Sequence, residues 1–93
     1  MLTELTLELF VAGKTTEVED SVARIKVLLD QLLRTPYRLD VVDVLEKPDL
    51  ADLAHILVTP TLVVRFDSSE RRLVGDLSDL SRLQLVIADS QQR

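Results

Sequence analysis

The chain has 93 residues, of which 46% are hydrophobic and only three are aromatic, and its formal net charge is −5. This length predicts one domain over residues 1–93, with a thin core that still permits independent folding. The acidic balance argues against nucleic acid and anionic membranes as partners, because both require clustered basic side chains.

The absence of cysteine rules out disulfides, thiol catalysis and thiolate metal ligation. No apolar run approaches the length of a membrane span or of the apolar core of a signal peptide. The sequence therefore predicts a cytoplasmic protein that binds no cofactor.

The first predicted element is a strand with one apolar face, because leucine or valine occupies every second position from Leu5 to Val11. Glu8 lies in the middle of this strand, which indicates that the opposite face of the sheet is only partly covered. Gly13 ends the strand.

A helix is predicted next, because Thr16 followed by Glu19 has the spacing of a capping box. The helix runs to about Arg34, since Pro36 disfavours a helical conformation in the residue before it. Its buried face is defined by apolar residues at helical spacing: Val18, Val22, Ile25, Leu29 and Leu32.

Residues 38–45 are rich in valine and form the second predicted strand. Pro48 suits the first turn of a short helix, because its missing N–H group needs no partner there. The apolar face of this helix contains residues at i, i+3, i+4 and i+7: Leu50, Leu53, Ala54 and Leu57.

The second half of the chain predicts a hairpin followed by a helix. Strands over residues 61–66 and 70–75 are joined by an Asp-Ser-Ser turn, and Gly75 ends the second strand. Asp76 or Ser78 is expected to cap the last helix. The apolar face of that helix contains Leu80, Leu83, Val86 and Ile87.

The resulting order is β-α-β-α-β-β-α, an α/β arrangement typical of the thioredoxin-like fold. Both β-α-β connections predict parallel strand pairs, and the last two strands predict an antiparallel hairpin.

Four short segments, taken in order, form a recognisable set. They are Leu-Phe-Val-Ala-Gly at residues 9–13, Val-Asp-Val-Leu-Glu-Lys-Pro at residues 42–48, Ile-Leu-Val-Thr-Pro-Thr-Leu at residues 56–62, and Arg-Arg-Leu-Val-Gly-Asp-Leu-Ser at residues 71–78. Together these segments resemble the KaiB family of circadian-clock proteins, and the resemblance covers nearly the whole chain.

The resemblance implies a regulator without catalytic activity that docks on the hexameric KaiC-type ATPase and, in clocks, also captures KaiA. Similar domains form the sensor end of the histidine kinase SasA, so a kinase input domain is the alternative. The family also has a ground-state fold in which the second half of the chain is rearranged and self-associates. The resemblance therefore also implies a homo-oligomer, either a dimer or a tetramer.

The sequence departs from the family where many members carry a run of prolines before the Arg-Arg pair. Here residues 67–70 read Asp-Ser-Ser-Glu, which leaves the backbone N–H groups free for ladder hydrogen bonds. The helical face of the last segment agrees with such a hairpin. We therefore expect the thioredoxin-like arrangement rather than the ground-state fold.

Gly13-Lys14-Thr15 lies between a strand and a helix, as the end of a phosphate-binding P-loop does. That motif needs another glycine five residues earlier, where this chain has Glu8. In thioredoxins the same junction carries the redox cysteines, and here it contains no sulfur, so thiol exchange is excluded.

His55 is the only histidine, and Asp52 lies one helical turn before it. These two residues are fewer than the ligands that a metal site needs, and Asp49 is poorly placed to add a third. An exposed histidine is the simpler interpretation, and no metal is expected. A serine-histidine-aspartate triad would also depend on His55, and no serine is placed beside it.

The candidate partner-binding residues lie in the two central family-like segments: Asp43, Glu46, Lys47, Thr59 and Pro60. The first three contribute charge, and Thr59 and Pro60 contribute shape. In the thioredoxin-like order the peptide bond before this proline is predicted to be cis. Gly13 and Gly75 are expected to adopt backbone conformations that other residues disfavour, with Asp76 as a further structural residue. The acidic side chains from Asp40 to Asp52 form either a solvated face or an electrostatic docking surface.

Overall fold

The computed structural model describes residues 5–75 and 77–91, which form four strands and three helices. Their order confirms the predicted α/β fold class. Asp76, the candidate cap and structural residue, lies outside the described residues. The elements are β1 (Leu5–Val11), α1 (Thr16–Leu32), β2 (Tyr37–Asp43), α2 (Pro48–Leu53), β3 (Thr61–Phe66), β4 (Ser69–Val74) and α3 (Ser81–Ser90).

The strands form one sheet in the order β2-β1-β3-β4. β1 and β2 are parallel, whereas β3 runs antiparallel to β1 and β4 antiparallel to β3. The prediction of a second parallel connection is therefore wrong. Its physical reason is the length of α2, whose six residues span about 9 Å, less than half the length of a six-residue strand. The chain stays at the end of the sheet where β2 stops, and β3 begins there.

One face of the sheet packs against α1 and α3 and forms the main core. Ile25 and Leu29 of α1 are fully buried there, as are Leu83 and Ile87 of α3, which confirms the predicted helix faces. The sheet contributes the alternating apolar residues of β1: Leu5, Leu7, Leu9 and Val11.

The opposite face of the sheet is only partly covered, as Glu8 indicated. Phe10, Val42 and Val63 form a small second core, which lies against partly buried side chains of the segment around α2. Farther from α2, the same face carries charged side chains, and these need no helix over them.

The first helix begins one residue earlier than a capping box at Thr16 would require. Thr15 is the N-cap, and its Oγ1 accepts a hydrogen bond from the N–H of Val18 at 3.2 Å. Thr16 is already helical, so Glu19 lies one position too late to complete the box.

The last helix begins later than predicted. Its N-cap residue is Leu80 rather than Ser78. Asp79 Oδ1 accepts hydrogen bonds from the Oγ and the N–H of Ser81 at 2.6 and 2.9 Å, and these bonds lower the pKa of Asp79. Asp79 thus supplies the acceptor at this helix start.

Replacing Thr15 with alanine removes the side-chain acceptor that caps α1. We expect this change to lower the free energy of unfolding by about 1 kcal/mol. Thr16→Ala is the matched control and should change it by less than about 0.5 kcal/mol. Urea denaturation followed by circular dichroism measures both values, and equal losses would contradict Thr15 as the cap.

Candidate docking surface at one end of the sheet

The topology brings the candidate site residues to one end of the sheet. β1 and β2 end there, β3 begins there and β4 ends there. The turn after β1, the long segment between β2 and β3, and Gly75 after β4 are therefore neighbours in space. We call residues 44–60 the β2–β3 connection.

Asp43 is the last residue of β2, and its buried carboxylate links the turn after β1 to the start of the β2–β3 connection. It is 7% exposed, and its Oδ1 accepts hydrogen bonds from the N–H groups of Gly13 and Leu45, each at 3.0 Å. Its backbone oxygen accepts from the N–H groups of Glu46 and Lys47 at 3.1 and 2.9 Å. Asp43 therefore positions the turn, and its carboxylate is bonded within the chain rather than presented to a partner.

Glu46 and Lys47 follow in this turn, and both side chains are exposed. Gly13 and Gly75 have φ angles of 93° and 104°, which are the conformations that favour glycine. At Gly13 this conformation reverses the chain between β1 and α1 while its N–H group bonds to Asp43. The two glycines therefore shape the same end of the sheet.

The peptide bond between Thr59 and Pro60 is cis, which confirms the prediction. The Pro60 oxygen accepts a hydrogen bond from the N–H of Gly75 at 3.1 Å. Thr61 Oγ1 donates to the Val58 oxygen at 2.7 Å. These bonds fix the end of the β2–β3 connection beside the exit of β4, with the Thr59 side chain exposed.

The β2–β3 connection exposes large apolar side chains, which their helical spacing in the sequence did not predict. Leu53 and Leu57 were predicted to share the apolar face of a helix. They are 77% and 94% exposed, because α2 ends at Leu53 and Ala51 is its one buried residue. The sequence signal is that this segment holds more leucines than so short a helix can cover. The exposed apolar residues of the connection are Leu45, Leu50, Leu53, Leu57 and Val58.

We call the face of the sheet opposite α1 and α3, which carries Glu8, Arg65 and Glu70, the open face. Its charged side chains are paired with one another. Arg65 bridges Glu8 and Glu70, and Arg72 pairs with Glu70 at 2.9 Å. Arg72 also donates to the Ala54 oxygen at 2.6 Å, where a cation is favourable because helix α2 ends there. The pKa of Glu70 is lowered from its ordinary 4.5, mainly by the hydrogen bond from Arg72 and to a smaller extent by Arg65.

Among the residues that the structure describes at this end of the sheet, neither a pair of acid and base side chains nor a free phosphate-binding loop is formed. A cleft of about 270 Å³ lies between α1 and Pro60, and Glu17 is the one titratable side chain among its described lining residues. The lining therefore offers Glu17 no second titratable side chain as an acid or base partner. The N–H of Gly13, which a phosphate would need, is already bonded to Asp43.

His55 lies in the turn after α2, is exposed, and has a φ angle of 56°. Over residues 5–75 and 77–91, no group of three or more potential metal ligands comes together. In the same part of the chain, no helix has the length and apolar character needed to span a membrane.

Comparisons with known proteins agree with the family-like segments. The KaiB domain family matches residues 8–88. The circadian clock oscillator protein KaiB of Prochlorococcus marinus is 40% identical over 77 residues, which span 83% of this chain and 65% of that protein. The protein of the same name from Gloeothece citriformis is 39% identical over 77 residues, spanning 83% of this chain and 73% of that protein.

Solved structures show the same fold. The N-terminal domain of Synechococcus elongatus SasA has a TM-score of 0.82 and 26% identity, and the match covers 100% of this chain and 89% of that domain. Thioredoxin 1 from Thermosipho africanus has a TM-score of 0.74 at 17% identity and covers 94% of each chain. At that identity the thioredoxin likeness concerns the fold alone.

Replacing Asp43 with alanine leaves the N–H groups of Gly13 and Leu45 without their acceptor. We expect a loss of about 2–3 kcal/mol in the free energy of unfolding. Asp43→Asn keeps an oxygen at the same place and should cost less than half as much. Chemical denaturation compares the two, and equal losses would show that the hydrogen bonds do not stabilise the turn.

Glu70→Gln tests the paired charges on the open face. Because the folded-state pKa of Glu70 is lowered, its contribution is present above the ordinary value of 4.5 and is lost as pH falls through the folded value. We expect Glu70→Gln to cost at most about 1 kcal/mol at pH 7, since Glu70 is partly exposed and screened by solvent. Thermal unfolding at several pH values should find this difference shrinking as the pH falls below 4.5. A difference independent of pH would contradict the ion pairs.

Proposed function

Because the chain belongs to the KaiB family, we propose that it is a regulator without catalytic activity that docks on a KaiC-type ATPase. The observation that carries this proposal is the exposed apolar surface of the β2–β3 connection, at the end of the sheet where the family-like segments converge. Several large exposed apolar side chains in one segment are typical of a surface that a partner covers. The docking residues are Glu46, Lys47, Thr59 and Pro60, and Asp43 positions them.

The backbone of this surface is held before any partner binds. Asp43 fixes the start of the β2–β3 connection, and the hydrogen bonds of Pro60 and Thr61 fix its end. A surface ordered in advance loses less conformational entropy on association. This rigidity supports a role in docking, which needs a constant shape.

A second candidate function is the input domain of a histidine kinase, which the similarity to the SasA N-terminal domain favours. The two functions differ in whether the chain acts as a separate protein or is joined to a kinase. A kinase catalytic domain encoded in the same gene would select the second function. In a clock system, KaiA is a further partner, and a dimer or tetramer is a competing state of the free chain.

Thr59→Arg tests the proposed docking surface. Thr59 is exposed, so we expect the variant to fold with a stability within about 0.5 kcal/mol of the wild type. Its bulky side chain should obstruct the surface beside Pro60 and weaken binding to a KaiC-type ATPase hexamer at least about tenfold. Gln31→Arg adds the same side chain near the end of α1, at the opposite end of the sheet, and should bind like the wild type. Biolayer interferometry with ATP measures all three affinities.

Failure of the wild-type chain to bind the ATPase, with and without ATP, would refute the first function. Equal binding by Thr59→Arg and the wild type would move the docking surface elsewhere. Steady ATP hydrolysis by the purified chain alone would contradict the absence of catalysis.

A further inference from the structure

We propose that the partner surface covered by the β2–β3 connection is apolar at its centre and is bordered by lysine and arginine side chains. This inference rests on the proposed docking function and specifies the chemistry of the partner. Two independent features of the connection support it: the exposure of its leucines and the unpaired state of its carboxylates.

The apolar centre follows from three leucines placed before, within and after α2. Leu45, Leu53 and Leu57 are 71%, 77% and 94% exposed. A hollow of about 240 Å³ in the same connection gives room for a partner side chain. Its lining residues are Val44, Ala51, Ile56, Leu57, Val58 and Thr59. Since this lining is mostly apolar, an apolar partner group fits it best.

The charged border follows from the other exposed side chains of the connection. Glu46, Asp49 and Asp52 are exposed carboxylates, and Lys47 is the one opposing ammonium group in residues 44–60. Among the described residues, none of these three carboxylates has an ion-pair partner within 4.0 Å. Their negative charge therefore stays available to a partner.

The open face of the sheet provides the contrast. There Glu8, Asp40 and Glu70 each pair with an arginine of the same face. Among the described residues, the carboxylates of the open face are thus paired, whereas Glu46, Asp49 and Asp52, which are close in sequence to the exposed leucines, are not. Unpaired negative charge around an apolar area favours and accelerates association with a positively bordered surface.

A second copy of this chain fits the surface poorly. In a two-fold contact the same patch faces itself, so Glu46, Asp49 and Asp52 of both copies would be brought together. Lys47 alone cannot balance them, and like charges oppose association at low salt. The occupant is therefore a different protein with basic residues at its border.

The test measures binding of a KaiC-type ATPase hexamer, with ATP, to two variants and their matched controls. Leu53→Ser should weaken binding about tenfold through faster dissociation. Leu85→Ser changes a leucine of α3 that is 71% exposed and should bind like the wild type. Asp52→Lys should slow association about tenfold at low salt, and about 0.5 M salt should remove that difference. Asp30→Lys makes the same charge change at the far end of α1 and should leave the rate unchanged.

A second measurement uses probes that do not depend on the ATPase. Two helical peptides of about 18 residues, a length of about 27 Å, carry the same stripe of leucines. Lysines flank the stripe in one peptide and glutamates in the other. In NMR spectra of the labelled chain, we expect the lysine peptide to shift resonances of residues 44–60 and the glutamate peptide to leave them in place.

The outcomes separate this inference from the proposed function. If the ATPase does not bind and the lysine peptide does, the ATPase proposal fails and the partner chemistry stands. If the ATPase binds but Leu53→Ser and Asp52→Lys match the wild type, the partner chemistry is overturned while docking stands. Dimerisation of the wild type that Leu53→Ser abolishes would assign the surface to a second copy and overturn the inference. Binding of neither the ATPase nor the lysine peptide would overturn both.

Discussion

The hydrogen bonds of the Asp43 carboxylate are the interaction on which the candidate surface depends. One oxygen accepts from Gly13 after β1 and from Leu45 after β2, so a single buried group sets the paths of two separate segments. A buried carboxylate is stable only when such donors replace the water that it loses. The backbone oxygen of Asp43 also accepts the hydrogen bonds that form a turn, so β2 ends at this residue. Glu46 and Lys47 therefore lie at the end of the sheet instead of continuing the strand.

The early end of β2 and the short α2 together decide what the sheet exposes. Val44, Ala54 and Ile56, which flank the six-residue helix, pack against Phe10, Val42 and Val63. The charged side chains on the rest of that face are accommodated in another way. The solution is a set of ion pairs that crosses three strands, from Glu8 through Arg65 to Glu70. Exposed pairs of this kind add little stability individually. Their structural effect lies at Arg72, which links the paired charges to the end of α2 and hence to the β2–β3 connection.

The sequence predicted well those features that repeat along an element and poorly those that depend on how far an element reaches. Helical spacing identified Ile25 and Leu29 as core because each turn repeats the pattern. Thr15 and Thr16 are adjacent residues of one type, so local preference could not decide which caps the helix. The spacing of apolar residues placed Leu53 and Leu57 on one helical face, but it could not show that α2 ends before Leu57. The direction of β3 was mispredicted for the same reason, since it depends on the length of α2.

The same reasoning explains why Asp43 differs from the other residues that were predicted to bind a partner. Asp43 stands in a run of carboxylates that look alike in the sequence, and only the position at the end of β2 separates it from the exposed Glu46, Asp49 and Asp52. Exposed leucines supply the larger share of affinity, because each buries apolar area when a partner binds. Carboxylates in the same segment speed association with a basic partner at low salt and oppose partners of the same charge, including another copy of the chain. An apolar surface with an unpaired acidic border is therefore selective because of its border and tight because of its centre.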